Sequence, residues 1–548
     1  MYLFVIATVF AVACTSNREP SQDVAYPVTG VTIEPSDGEA PTPADNEPAE
    51  DTAPPEDTGN EMPPAVNILS LSVHTLPECV VCATVEISLD APAPITLLVG
   101  ALGKERIPWV HSESSEHHTI PLLELHAETT YSLAVRIDGP HSSIAAYDLF
   151  ATPALPDIFP PITVERGDDS RTQPGLTLLN ILEWGDASPR RFMVAAIDHS
   201  GEIVWYHQID RLALGLGIDD QRRIYTTDTT QNIVRIDPYG QAKTVWPVDE
   251  LGISSAHHEI RPMDDGGMAV LTTELETISG WWMEPMVYPT SFNVVGDVFT
   301  LFDADGHQTW SWSMMDHIDP LEHHTADMHM NFWNMPPYVD VADPKDWSHA
   351  NTLLPRGDNW VTSLRNLDWI MEINPNTDEI EWILGPNGDF TLADGGRWFS
   401  RQHRPSFTSD DTILVYDNGL DRADAAEEEE AFTRVVEYQL DFDTMTATEL
   451  WSWNGGDRYV VPIAGGVTQL DNGNYLINDG AIFNGATLEE DVWWPHYSAR
   501  LREIVGTEDP EIIWELSVGY PDDLEEQGWF VYRAERIDSL YPAHARPE

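Results

Sequence analysis

The chain has 548 residues, too many for one compact core, and at 42% hydrophobic and 10% aromatic it is not a disordered protein. Asp and Glu number 92 against 28 Lys and Arg, a formal net charge of −64. A surface this acidic repels phosphate backbones and anionic lipid headgroups, which excludes nucleic acid as a partner, and 35 Gly with 41 Pro favour many short strands over helical bundles.

In chain order, residues 1–13 (MYLFVIATVFAVA) form an apolar run too short to span a bilayer and ending in small residues, as an export signal does. The run meets Cys14 directly, and Ala11-Val12-Ala13-Cys14 resembles a bacterial lipobox, in which the cysteine is lipidated and becomes the mature N-terminus. The expectation is an exported lipoprotein, attached to a membrane through Cys14 and facing the periplasm or cell surface. Residues 15–64 are dominated by Pro and acidic residues; they cannot bury a core and are expected to form a disordered tether.

Residues 65–155 alternate apolar and polar positions in short stretches such as Thr84–Leu89, Ile95–Val99 and Tyr131–Ile137, the period of strands. About seven such strands predict a small immunoglobulin- or fibronectin-III-like sandwich, with Tyr131 placed to tie a corner through its hydroxyl. Cys79-Val80-Val81-Cys82 has no second ligand pair at zinc spacing. A local disulfide between Cys79 and Cys82 is expected there. It requires a turn, because in an extended strand their Cα atoms would lie roughly 10 Å apart, beyond bridging reach.

Residues 160–548 contain an internal repeat. Six segments join a strand-like run to a polar turn and a strand ending in Trp: FMVAAIDHSGEIVW (192–205), 233–246, 299–312, 369–382, 435–451 and 500–514. A second hairpin type alternates with them, as in LDNGNYLINDG, where Asn472-Gly473 suits a primed two-residue turn. Six all-β units of about 65 residues predict a six-bladed β-propeller, since each small sheet buries its faces only against neighbours. The tryptophans are expected to be packing between blades.

Histidines gather near strand starts in this region: His257-His258-Glu259, His323-His324, His329, His349 and Gln402-His403. Several His and Arg around one axis suit an anion, which takes charge-assisted hydrogen bonds from both. The cluster Glu322-His323-His324 with Asp327 and His329 has close spacing for a metal but no recognisable ligand motif, so no metal site is assigned. No Gly-rich loop ending in Gly-Lys-Ser/Thr is present.

The stretch DWSHANTLLPRGDNWVTSLRNLDWIMEINPNTDEIEWILG (346–385) resembles the bacterial arylsulfate sulfotransferases in its Asp-Trp-x-His-x-Asn and Ser-x-Arg elements. QHRPSFTSDDTILVYDNG (402–419), HHEIRPMDDGGMAVLTTE (257–274) and YRAERIDSLYP (532–542) resemble further elements of that family. The resemblance implies sulfuryl transfer from an aryl sulfate donor to a phenolic acceptor, with no nucleotide and no cofactor. Carried over by motif, His403 is the nucleophile that forms a sulfohistidine. His349, Asn351 and Arg365 hold the sulfuryl oxygens, and His258 is an acid/base or oxyanion partner, with His257 as the alternative. The rival reading is a non-catalytic exported propeller that binds a partner or a glycan.

Overall fold

The computed structural model describes residues 66–546 except 140–142, 169, 185–189, 240–242, 282–289, 324–330, 423–430, 457–458, 484–496, 507–508 and 521–527. The export signal, Cys14 and the tether lie outside the described residues, as do His324, Asp327 and His329. The protein is all-β: apart from the four-residue helix Met314–His317 and three-residue 3-10 turns, every described element is a strand or a two-residue bridge of one. Among the described residues, no helix is long and apolar enough to cross a membrane.

The N-terminal sheet has five strands, Ile68–Leu76, Cys79–Ala101, Ile107–Leu122, Thr130–Ile137 and Ser143–Ala151. Five replace the expected seven in part because Thr84–Leu89 and Ile95–Val99 are two halves of one strand, and Ile107–Leu122 pairs with both halves as a single strand. The segment with Pro92 and Pro94 slips register between Ser88 and Ala93 without ending the pairing, as Pro is tolerated where a ladder bulges. Cys79 and Cys82 are bridged, with Cα atoms 5.3 Å apart. No separate turn is needed: Leu76 faces Cys79 while Thr75 faces Ala83, so the intervening residues bulge out of the ladder and shorten the span. The Tyr131 hydroxyl accepts the His126 amide at 2.7 Å, the expected corner tie.

Six further sheets follow, antiparallel apart from two short edge pairings. Each of the six Trp-ending repeats is the outer hairpin of one of them, and the six are numbered here in the order of those hairpins; 192–205, in the first, forms Phe192–Ile197 and Ile203–Ile209. Trp205, Trp312 and Trp514 are buried, and each donates its indole N–H to the hairpin of the next sheet, at Pro238, Asp378 and His199 respectively. The Trp is therefore mortar, because the indole fills the gap between sheets and its one donor finds a carbonyl across it. A second strap recurs nearer the inner strands. Asn180 donates to the Ala213 and Gly215 carbonyls, Asn418 to Val461 and Ala464, and Asn478 to Val531 and Tyr532.

The order of sheets closes on itself. The early strand Ile162–Arg166 pairs with Glu511–Val518, while the late strands Gly528–Phe530 and Ala534–Ile537 pair with Leu176–Trp184. The turn at 470–474 differs from the expected primed type. The Leu470 carbonyl accepts Gly473 N and its amide donates to Asn474 O, giving a three-residue loop with Gly473 left-handed at φ 86°. The same pairing of amide and carbonyl recurs around Gly201, Gly266 and Gly306.

The N-terminal sheet is docked on this array. The Tyr541 hydroxyl accepts the Leu123 amide at 2.7 Å and donates to the Pro121 carbonyl at 3.1 Å. Glu124 accepts from Ser539 and the Leu540 amide, and one apolar core runs through Leu122, Leu125, Leu540 and Tyr541.

Candidate active site

The inner strands of three consecutive sheets, His257–Pro262, Ala350–Arg356 and His403–Phe407, carry four of the candidate residues, while His349 directly precedes the second strand and Arg365 opens the 3-10 turn Arg365–Leu367. Each strand has a register slip at its start, after His257, Ala350 and His403. His258 and His349 sit in the left-handed region at φ 53° and 52°. A bulge with a left-handed residue turns the side chain off the sheet face, and such strain persists only where the surroundings impose it. His257, His258, His349, Asn351, Arg365 and His403 are all buried, none more than 6% exposed.

Five of these six come together. The rings of His258 and His349 lie 4.8 Å apart. Arg365 donates its amide to the His349 carbonyl at 3.1 Å, and Asn351 donates its side-chain N–H to the carbonyl of Gln402, the neighbour of His403. Arg365 and His349 are both within electrostatic reach of His403. His257 stands behind His258, its Nδ1 2.7 Å from that of His258 and its ring edge-on to Trp333.

The hydrogen-bond partners assign the tautomers. The Asn418 amide gives both its N–H groups to carbonyls, so its Oδ1 faces His403 Nδ1 at 2.8 Å and accepts a proton held there. The lone pair of neutral His403 is then on Nε2. Burial, with help from the Arg365 charge, pushes the His403 imidazole down to about 3 despite the Asn418 hydrogen bond, so the ring is neutral at ordinary pH. His349 Nδ1 faces Asp346 Oδ2 at 2.5 Å and donates to it, which leaves Nε2 as its second position. Burial, then the neighbouring His349, His257, His403 and Arg533, hold His258 well below its usual value.

Several supporting residues were not singled out from sequence. Asp346 and Asn418 lie inside the quoted motifs, where a carboxylate or amide near a histidine is the available signal. Arg533 carries no such signal. It reaches in from the closing segment, pairs with Glu259 at 2.5 Å and donates to the carbonyls of His258 (3.4 Å) and Asn351 (3.2 Å). Phe332, from the connection between the third and fourth of the six sheets, packs its ring 4.9 Å from His258 and 5.2 Å from His349. Of the metal candidate, Glu322 and His323 are described, and His323 packs on Trp369 with its carbonyl accepting the Trp347 indole. The close group Asp303, Asp305 and His307 is a turn at the surface in which the Asp303 side chain caps the amides of Asp305 and His307.

Fold and site together define an all-β protein with a buried centre of three histidines and one arginine. The chain belongs to the arylsulfotransferase (ASST) family, whose model matches residues 162–518. No curated protein matches it significantly. Among solved structures, Sqt1 of Saccharomyces cerevisiae is 10% identical over 68% of this chain and 80% of its own, with a TM-score of 0.23. PhoX of Pseudomonas fluorescens, solved with vanadate, is 9% identical over 83% and 88% (TM-score 0.29), and apo AztD of Citrobacter koseri is 10% identical over 80% and 99% (0.27). Similarity at this level identifies neither fold nor function.

Proposed function

We propose that this protein moves a sulfuryl group from an aryl sulfate to a phenol through a sulfohistidine at His403. The observation that carries the reading is the environment of His403: a buried, neutral imidazole, anchored at Nδ1 by an amide, in reach of an arginine charge. In the first half-reaction the Nε2 lone pair attacks sulfur, and the S–O bond to the aryl group breaks with its electron pair leaving on the phenolate. An amide partner matters here. A carboxylate would take the Nδ1 proton from the sulfonated ring, whereas Asn418 leaves it there, and the positively charged ring remains a good leaving group.

In the second half-reaction the acceptor oxygen attacks sulfur, and the N–S pair returns to Nε2. Arg365 and Asn351 hold the sulfuryl oxygens, and His349, when it carries a proton on Nε2 as well, donates to them with Asp346 balancing its charge. We read the six sheets as a six-bladed propeller spanning 160–548, behind a small sandwich at 65–155. The apolar run into Cys14 supports export and lipid anchoring.

The test is incubation with an aryl sulfate and no acceptor. One sulfuryl group should appear on the peptide carrying His403, and initial rates with both substrates should give parallel double-reciprocal lines. His403→Ala should take no label and lose turnover by at least about a thousandfold. A fully active His403→Ala protein removes the assignment and returns the protein to the partner- or glycan-binding class.

A further inference from the structure

The imidazole of His258 is buried and neutral, and a base that cannot hold a proton is of no use to a phenol. Its surroundings resolve this. His257 Nε2 faces two acceptors, the Thr272 carbonyl at 3.3 Å and Asp297 Oδ1 at 3.2 Å, so it carries a hydrogen. In the neutral pair His257 Nδ1 is then the acceptor, and His258 Nδ1 donates to it at 2.7 Å. This leaves the His258 lone pair on Nε2. Asp297 is itself held by the Ser348 hydroxyl (2.5 Å) and the Ala350 amide (2.7 Å), residues on either side of His349. Burial raises its carboxyl, but His257, Ser348 and Ala350 together keep it below the usual range, and it stays ionised.

We propose that His258, His257 and Asp297 form a proton relay in which His258 exchanges a proton with the phenolic oxygen while the charge rests on His257 against Asp297. The proposal rests on the sulfuryl-transfer reading above and adds a route for its proton. In the charged state His257 carries both hydrogens and donates from Nδ1 to His258, which places the His258 proton on Nε2. When the aryl–oxygen bond to sulfur breaks, His258 gives that proton to the leaving phenolate and takes the His257 Nδ1 proton at its own Nδ1. The neutral pair that results has a lone pair on His258 Nε2. The acceptor phenol gives its proton there as it attacks sulfur, the Nδ1 proton shifts back to His257, and the charged state is restored. One proton leaves with the first phenol and one arrives with the second, so the cycle balances.

Motif matching offers His257 and His258 as alternatives for one role; the relay gives each a different one. The other groups around His258 do not replace its partner: His349 is committed to Asp346, His403 to Asn418 and Arg533 to Glu259, Phe332 offers no proton, and burial holds the Tyr532 phenol, its ring 5.6 Å away, in the protonated form. His257 and Asp297 are positioning residues that act through His258, since neither reaches the reacting atoms.

The experiment separates the half-reactions in the full-length protein by quenched-flow labelling of His403, followed by transfer to a series of phenols of graded acidity. Without the relay, only an acceptor that is already ionised reacts well. Asp297→Asn should therefore slow transfer about a hundredfold or more with weakly acidic phenols and about tenfold or less with nitrophenols, which steepens the dependence on phenol acidity. Its rate should also climb with pH toward the acceptor's own ionisation. His257→Asn, which leaves the Asp297 bonds to Ser348 and Ala350 in place, should do the same if Asp297→Asn folds poorly. Equal losses across the whole phenol series in both variants, or an unchanged slope, overturn the relay while the sulfohistidine stands. A wild type that takes no label at all refutes the sulfohistidine reading, and the relay with it.

Discussion

Asn418 shows how much one side chain decides at this site. It straps two sheets together through Val461 and Ala464, as Asn180 and Asn478 do elsewhere, and its remaining oxygen orients His403. The strap is structural in all three places and, on the proposed mechanism, chemical in one. Asn418→Asp would put a carboxylate on Nδ1, stabilise the protonated ring and raise its pKa by about 1 to 3. The labelling rate of that variant should fall at mildly acid pH, with a midpoint at about 4 to 6 in place of about 3, and recover as pH rises, because on the proposed mechanism the reactive species is the deprotonated ring. In the wild type, with His403 held down to about 3, labelling should lose nothing to protonation of this ring until the pH approaches about 4. A wild-type rate that falls with a midpoint near that of free histidine contradicts the buried, neutral nucleophile.

At the scale of elements, the site is assembled from strands far apart in sequence, and Arg533 is where they meet. Its guanidinium touches the third of the six sheets through Glu259 and the His258 carbonyl and the fourth through Asn351, while its amide is held by Asn180 of the first. Burying this charge is tolerable only because Glu259 is equally buried and 2.5 Å away. Arg533→Met should cost about 3 to 5 kcal/mol, mainly from the Glu259 carboxylate left with only the longer Arg261 contact at 3.5 Å. Arg533→Met with Glu259→Gln should cost less than the single change. A double-mutant cycle in denaturant measures this coupling, and strictly additive losses would show that the pair does not act as a unit.

For the whole molecule, the balance of charge matters most. With −64 on 548 residues and only three lysines, the folded chain repels itself, and ions weaken that repulsion. Its thermal midpoint should rise steadily as salt is raised from about 10 mM, where charges interact over roughly 30 Å, to about 1 M, where screening acts within about 3 Å. A midpoint that is flat over this range would contradict self-repulsion as a destabilising force in the folded chain.

What the sequence determined by itself is whatever depends on local period and local chemistry. Alternation marked the strands, and the recurring Trp at a strand end marked the outer hairpin of every one of the six sheets, because both signals sit within about fifteen residues. The short motifs placed His349, Asn351, Arg365 and His403 in a family. The irregularity around Pro92 and Pro94 misled the strand count, since a bulge and a strand end have the same composition. Only the tertiary structure decided which groups stand behind each histidine. Asp297 lies 40 residues from His257 in a segment whose local pattern is that of any strand, and Arg533 stands far beyond both in the 532–542 motif, which by itself gave it no partner. A hydrogen bond across sheets leaves no periodicity in sequence, so tautomers, charge pairing and the different partners of His257 and His258 became legible only when the chain had closed.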